Sequence, residues 1–197
     1  MTLANIVTLI RIGLIPCFVL AVTYYAASVK HGAPEPMEHT LAAFFFILAA
    51  STDALDGYLA RRMNQKTRLG SILDPIADKA LLISALVLLS WNLGDAFDQL
   101  PLWFPIVVIS REFIIVLGVA LVFMMGKGFD VQPHWIGKVG TVLQMVTIGL
   151  VLIRVPAIYW QVPLWAAGIL TVISGIIYVI EGSRKMSHEE IAHSGKL

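Results

Sequence analysis

Four aspartates lie within 26 positions of a chain that is otherwise poor in charge: Asp53, Asp56, Asp74 and Asp78. On a helix, the first two share one face, and the last two, four residues apart, share a face of the next helix. The eight residues between Arg61 and Gly70 suit a tight turn. We therefore expect the two acidic faces to oppose each other.

Carboxylates gathered in a low-dielectric environment repel one another, so a cation must compensate them. Oxygen ligands with no His or Cys nearby favour Mg²⁺ or Mn²⁺ over zinc. Four carboxylates suffice for two bridged ions, which can clamp the attacking and leaving oxygens of an in-line displacement at phosphorus. The acidic stretch therefore predicts phosphoryl-type transfer.

Small residues and one cation accompany the aspartates. Gly57 and Ala60 share the face of Asp53 and Asp56. Their lack of bulk would let a ligand approach the backbone, or would let two helices pack closely. Arg61 can bind a phosphate through its planar fork of donors, or can anchor a helix at the membrane edge.

Composition indicates the setting of this chemistry. The chain is 58% hydrophobic and only 14% charged, against roughly 25% charged in soluble domains. We expect an all-α integral membrane protein folded as one bundle. A net charge of +1 gives no reason to expect a nucleic acid as partner. Cys17 is the single cysteine, and its apolar surroundings predict a buried, inert thiol.

Six segments are long enough to span a membrane: 3–28, 38–62, 70–92, 102–126, 134–156 and 162–184. The basic link after the second segment indicates a cytoplasmic position by the positive-inside rule, and alternation then places both termini in the cytoplasm. On that assignment nine cations lie inside: Arg61, Arg62, Lys66, Arg68, Lys127, Lys138, Arg184, Lys185 and Lys196. Only Lys30 and Arg154 lie outside.

Taken together, the motif residues resemble the signature of the CDP-alcohol phosphatidyltransferase family, Asp-x2-Asp-Gly-x2-Ala-Arg-x8-Gly-x3-Asp-x3-Asp. Every position is filled, by Asp53, Asp56, Gly57, Ala60, Arg61, Gly70, Asp74 and Asp78. The resemblance implies a six-helix membrane enzyme, usually a homodimer, that displaces CMP from a CDP-linked lipid such as CDP-diacylglycerol with an alcohol. The domain would cover residues 1–185, followed by a polar cytoplasmic tail, 186–197.

The resemblance also implies roles for individual residues. Asp53, Asp56 and Asp74 would bind two divalent ions, and Asp78 would complete the metal site and act as general base. The positions implied for the CDP-lipid are Asn5, Thr8, Gly57, Ala60, Arg61, Thr67 and Gly70. Taken alone, the polar set Asn5, Thr8 and Arg11 would indicate an interfacial helix start whose arginine extends to the membrane surface.

Two further segments bear on the acceptor alcohol. Arg111 lies inside the fourth apolar segment, where an ionisable residue indicates either function or a structural pair with Glu112. Lys138 lies at the start of the fifth helix, where its charge could serve only to orient the chain in the membrane. Both segments resemble the branch of the family that uses sn-glycerol 3-phosphate. This implies that Arg111, Lys138 and, less directly, Arg184 bind the acceptor phosphate.

Other functions remain open from sequence. The acceptor could instead be serine or an inositol phosphate, with the same donor chemistry. A divalent-cation transporter could also use clustered carboxylates, but it would not need Gly57, Ala60 and Arg61 in this register. We expect a multi-pass protein of the cytoplasmic membrane, in contact with membrane lipids, whose active site faces the cytoplasm.

Overall fold

The computed structural model describes residues 3–63, 68–124 and 135–194 of the backbone, and the side chains of residues 8–52, 76–77, 79–118 and 135–182. In these ranges the regular structure is entirely helical, as predicted. The described ranges contain six α-helices: α1 Leu3–Lys30, α2 Pro36–Met63, α3 Arg68–Ser90, α4 Trp103–Met124, α5 Trp135–Leu152 and α6 Ala157–Ser194. A short 3-10 helix, Gly94–Ala96, lies between α3 and α4.

Three described segments are long and apolar enough to cross a membrane by length and composition: Thr8–Lys30, Trp135–Leu152 and Ala157–Gly182. In the described part of α3, the segment Lys79–Ser90 is also apolar but shorter. Large apolar side chains such as Ile106, Ile158 and Val162 are more than 60% exposed. Such a surface is consistent with a membrane protein, in which lipid rather than water contacts the outer faces.

The chain divides into two compact units. The first comprises Met1–Leu102 and Met145–Gln161, and the second comprises Trp103–Gln144 and Val162–Leu197. In the first unit, α1 and α2 pack with their chains antiparallel. The rings of Phe18 and Phe46 lie 5.6 Å apart between centroids, and those of Tyr25 and His39 lie 5.1 Å apart.

The buried residues of the first unit recur at spacings of three and four. Buried positions on α1 include Phe18, Val22 and Tyr25, those on α2 are Ala42, Phe46 and Ala49, and those on α3 include Leu81, Ala85 and Leu89. This spacing produces a seam of contact along each helix.

The fifth helix ends four residues before the predicted limit, because a left-handed residue terminates it. Arg154 has φ 56°, and the amides of Arg154 and Val155 bond to the carbonyls of Val151 and Leu150. This is a Schellman cap, in which glycine is the usual residue at the left-handed position. The guanidinium of Arg154 donates to Tyr25 Oη at 3.0 Å and to the Asp95 carbonyl at 3.3 Å, which holds the cap in place.

The sixth helix is longer than predicted at both ends. Its first turns precede Pro163, which lies inside the helix. They are held by a hydrogen bond of 3.0 Å from Trp160 Nε1 to Asp98 Oδ2, a tertiary contact that local sequence does not reveal. At the other end, the helical backbone continues through residues 186–194, in the segment expected to be a polar tail.

The prediction for Cys17 was wrong, because this thiol is exposed. It shares its surface on α1 with exposed apolar residues, including Ile10 and Leu20. In a soluble protein apolar neighbours indicate a core. On a membrane helix they indicate a lipid-facing surface equally well.

In the second unit, α4 and α6 approach each other closely at a glycine. A Cβ at Gly168 would lie 2.7 Å from the Trp103 ring, so only glycine admits the indole there. Trp103 also stacks on Trp165, with centroids 4.8 Å apart. Phe104, Val108, Leu164 and Ala167, on the same two helices, are also buried.

Candidate active site

The acidic stretch is helical on both sides of its link. Asp53, Asp56, Gly57, Ala60 and Arg61 lie in the last turns of α2, and Gly70, Asp74 and Asp78 lie in the first turns of α3. The spacings that placed each set on one helical face therefore apply. The side chains at these positions, and Thr67 altogether, lie outside the described residues, so their convergence on metal stays a prediction.

Register shows which face of α2 the acidic positions occupy. The buried positions Ala42, Phe46 and Ala49 continue by alternating steps of four and three to 53, 56 and 60. On a regular helix, positions 53, 56 and 60 are therefore in register with the buried seam of α2. On α3, positions 74 and 78 continue in the same way into Leu81 and Ala85, which are buried.

The first helix continues its own seam with polar residues. Thr8 and Arg11 are both 0% exposed, at positions that follow the spacing of Phe18, Val22 and Tyr25. The interpretation of Arg11 as a cation extending to the membrane surface is therefore wrong. Its position belongs to the buried face of α1.

The pairing of α1 with α2 shows which residues of α2 lie at the same height along the helix axis as Arg11. Tyr25 lies beside His39, and Phe18, seven residues earlier, lies beside Phe46, seven residues later. One further step of seven along both helices brings position 11 to the level of position 53. The same register brings Thr8 to the level of position 56. The polar end of α1 thus runs alongside the acidic positions of α2.

Arg111, in the second unit, is half of an ion pair. Its Nη1 donates to Glu112 Oε1, the structural partner that the sequence left open, and its Nε donates to Ser174 Oγ at 3.3 Å. The guanidinium carbon lies 5.6 Å from the ring centre of Tyr178, within the range of a cation–π contact. The guanidinium is thereby neutralised and oriented.

The other predicted phosphate ligands differ in exposure. Lys138 is exposed in the first turn of α5, so its ammonium group is accessible. Arg184 lies on α6, and its side chain is outside the described residues, as is that of Asn5 on α1. Among the described side chains no group of three or more His, Cys, Asp and Glu could hold a metal ion, and the acidic stretch is not part of that set.

A chain of hydrogen bonds that sequence analysis missed supports Arg111. Gln144 Nε2 donates to Thr171 Oγ1 at 2.8 Å, and Ser174 Oγ donates to the Thr171 carbonyl at 3.0 Å while it accepts from Arg111. The first two side chains lie on α5 and α6. In the sequence, Thr171 and Ser174 look like ordinary small polar positions of an apolar helix.

Comparison with known proteins identifies a family. The sequence profile of the CDP-alcohol phosphatidyltransferase family matches residues 1–174. A Bacillus subtilis protein named CDP-diacylglycerol–glycerol-3-phosphate 3-phosphatidyltransferase is 38% identical over 188 residues, which cover 89% of this chain and 92% of the relative. An Escherichia coli K12 protein of the same name is 40% identical over 150 residues, 76% of each chain. A Mycobacterium tuberculosis protein named probable phosphatidylglycerophosphate synthase is 38% identical over 186 residues, 92% of this chain and 82% of its own length.

Proposed function

The chain belongs to the CDP-alcohol phosphatidyltransferase family, and from this premise we propose that it transfers the phosphatidyl group of CDP-diacylglycerol to sn-glycerol 3-phosphate. The products are phosphatidylglycerophosphate and CMP. The observation that carries this proposal is the complete family motif on two consecutive helices. The names of relatives that align along most of this chain support the choice of acceptor.

The proposed topology has six membrane spans, with both termini in the cytoplasm and the active site at the cytoplasmic side of the cell membrane. The excess of cations on one set of links supports this orientation. The phosphatidyltransferase domain covers residues 1–185, and residues 186–197 form a polar cytoplasmic extension. The family resemblance supports a homodimer.

The metal site is assigned to Asp53, Asp56, Asp74 and Asp78. Its oxygen-only donor set fits two Mg²⁺ or Mn²⁺ ions, and the family is generally dependent on divalent metals. When bound, such ions would offset the negative charge of the diphosphate and of departing CMP. Register supports the assignment on α2 and α3, because the acidic positions continue the buried seams of both helices.

Asp78 acts as the general base. It takes the proton from the primary hydroxyl of glycerol 3-phosphate, whose oxygen attacks the β-phosphorus in line with the leaving CMP. The new oxygen–phosphorus bond replaces the bond to the CMP phosphate. The CDP-lipid is held by the positions that the family motif assigns to it, together with the polar end of α1: Asn5, Thr8, Gly57, Ala60, Arg61, Thr67 and Gly70.

Arg111, Lys138 and Arg184 bind the phosphate of the acceptor. Lys138 is exposed and contributes a mobile point charge. Arg111 contributes directed donors rather than net charge, because Glu112 neutralises it. A dianionic phosphate is well matched by such a combination, since charge attracts the ligand and fixed N–H groups orient it.

An acceptor panel tests this function directly. Purified protein in detergent, supplied with CDP-diacylglycerol and Mg²⁺, is given glycerol 3-phosphate, glycerol, serine or an inositol phosphate, and the lipid product is identified by mass spectrometry. We expect phosphatidylglycerophosphate with stoichiometric CMP. Product formation with serine or inositol phosphate alone would refute the acceptor, and metal flux into proteoliposomes without CMP release would refute the enzyme.

The base is tested in the same assay. Asp78→Asn should leave the protein folded, as judged by its elution and helical circular dichroism, and should reduce CMP release by about a hundredfold or more. Turnover within a few-fold of the unmodified protein would exclude Asp78 as the base.

A further inference from the structure

The guanidinium of Arg111 is seated against all three helices of the second unit. On α4 it pairs with Glu112, and on α6 it donates to Ser174 and lies over Tyr178. On α5 it lies against Gly137. The side chain is only 13% exposed, so its orientation is determined by these neighbours.

Gly137 makes room for the charged end of the arginine. A Cβ at this position would lie 2.5 Å from Arg111 Nη2 and 3.7 Å from Cζ. A side chain at residue 137 and the guanidinium in its observed position therefore exclude each other. Gly175, on α6, differs because its Cβ would meet only the aliphatic stem of Arg111, at 3.6 Å or more.

The contacts of Arg111 with Glu112, Ser174, Tyr178 and Gly137 leave some of its N–H donors available. A guanidinium carries five N–H groups, of which Glu112 receives one from Nη1 and Ser174 receives the one on Nε. Nη2 makes no hydrogen bond to the residues that the structure describes. Donors in an apolar environment are costly unless an acceptor satisfies them, and a phosphate oxygen is the acceptor that a guanidinium binds best.

We propose that Gly137 and Ser174 are positioning residues: they hold the Arg111 guanidinium so that Nη2 can donate to the acceptor phosphate. The inference rests on the proposed function, which assigns that phosphate to Arg111. Gly137 acts by leaving space, and Ser174 acts by fixing the rotation of the guanidinium through Nε. Neither residue touches the substrate.

The test compares two glycines on one helix. Gly140 lies three residues after Gly137 and is also buried, but its Cβ would have its nearest neighbour at 3.7 Å, an ordinary contact. We expect Gly137→Ala to raise the KM for glycerol 3-phosphate about tenfold, the effect of one lost charge-assisted hydrogen bond. Its kcat and its KM for CDP-diacylglycerol should stay within about twofold of the unmodified protein's, and Gly140→Ala should match the unmodified protein.

A second pair keeps the test decisive if Gly137→Ala does not fold. Ser174→Ala removes the acceptor for Nε, and we expect a selective rise in the same KM. The control is Ser90→Ala. Ser90 is 5% exposed and Ser174 is 1% exposed, so both serines are buried. The Ser90 hydroxyl makes no hydrogen bond among the described residues.

The outcomes separate this inference from the function on which it rests. No CMP release by the unmodified protein with glycerol 3-phosphate would overturn the function. If the unmodified protein releases CMP and Gly137→Ala has the same kinetics as Gly140→Ala, the proposed positioning of Arg111 is overturned and the function is not. Equal effects of Gly137→Ala on both substrates, with a lower melting temperature, would also overturn it, since Arg111 would then only clamp helices.

Discussion

Removal of the buried charge of Arg11 tests whether α1 contributes to the acidic site. Arg11→Met keeps an unbranched stem that can fill the same space, whereas Arg11→Lys keeps the charge. Because Arg11 is 0% exposed and lies at the level of Asp53 in the α1 and α2 register, its charge should act on any ion bound there. Elution and helical circular dichroism of both variants serve as the folding control.

The magnitude follows from helix packing. Axes of packed helices are about 8 to 10 Å apart. At an effective dielectric constant of about 20, a unit charge and a divalent ion about 10 Å apart interact by about 3.3 kcal/mol, which corresponds to more than a hundredfold in affinity. Loss of a cation relieves repulsion of a metal ion and weakens attraction of a diphosphate, so the two effects have opposite signs.

The assay is CMP release as a function of Mg²⁺ and of CDP-diacylglycerol. For Arg11→Met we expect the Mg²⁺ concentration at half-maximal rate to fall by about a hundredfold, and the KM for CDP-diacylglycerol to rise by a similar factor. Arg11→Lys should resemble the unmodified protein in both. A higher Mg²⁺ requirement in Arg11→Met, or identical Mg²⁺ curves for the two variants, would refute the electrostatic coupling.

Three further predictions address other parts of the molecule. Arg154→Gly should be more stable than Arg154→Ala by roughly 1 kcal/mol, which is the cost of alanine in a left-handed conformation. It should therefore unfold at a higher temperature, as followed by tryptophan fluorescence, and the reverse order would contradict the cap. Gly168→Ala should lower the free energy of unfolding by about 1 to 3 kcal/mol, because the new Cβ collides with Trp103. The control is Gly149→Ala, which should not destabilise the protein, because its Cβ would have its nearest contact at 3.9 Å. Equal melting temperatures for the two variants would exclude the collision. Arg111→Ala should raise the KM for glycerol 3-phosphate far more than that for CDP-diacylglycerol, and equal rises would make Arg111 structural.

Local sequence predicted the six helices because each apolar segment is bounded by proline, glycine or charge. It did not predict where α5 and α6 meet. The cap at Arg154 depends on Tyr25 and the Asp95 carbonyl, and the early start of α6 depends on Asp98. These partners are distant in sequence, and nothing in the local pattern identifies them.

The burial of individual residues was predicted less well than the helices that carry them. Hydrophobicity does not separate the interior of a membrane protein from its lipid-facing surface, so Cys17 was placed inside although it is exposed. Arg11 was predicted to lie at the surface because charged side chains are usually exposed. The seven-residue spacing with Phe18 and Tyr25 would have corrected this, because it assigns Arg11 to the same face as buried aromatic rings.

The seams of α1, α2 and α3 change character along their length. Each is apolar over one half, around Phe18, Phe46 and Leu81, and polar or acidic over the other, around Arg11 and positions 53 and 78. Mutational tolerance should divide in the same way, because apolar substitutions in one half alter stability while those in the other alter chemistry. Under the proposed site assignment, evolution could therefore exchange core residues in the apolar half of this unit without altering the residues assigned to metal and donor lipid.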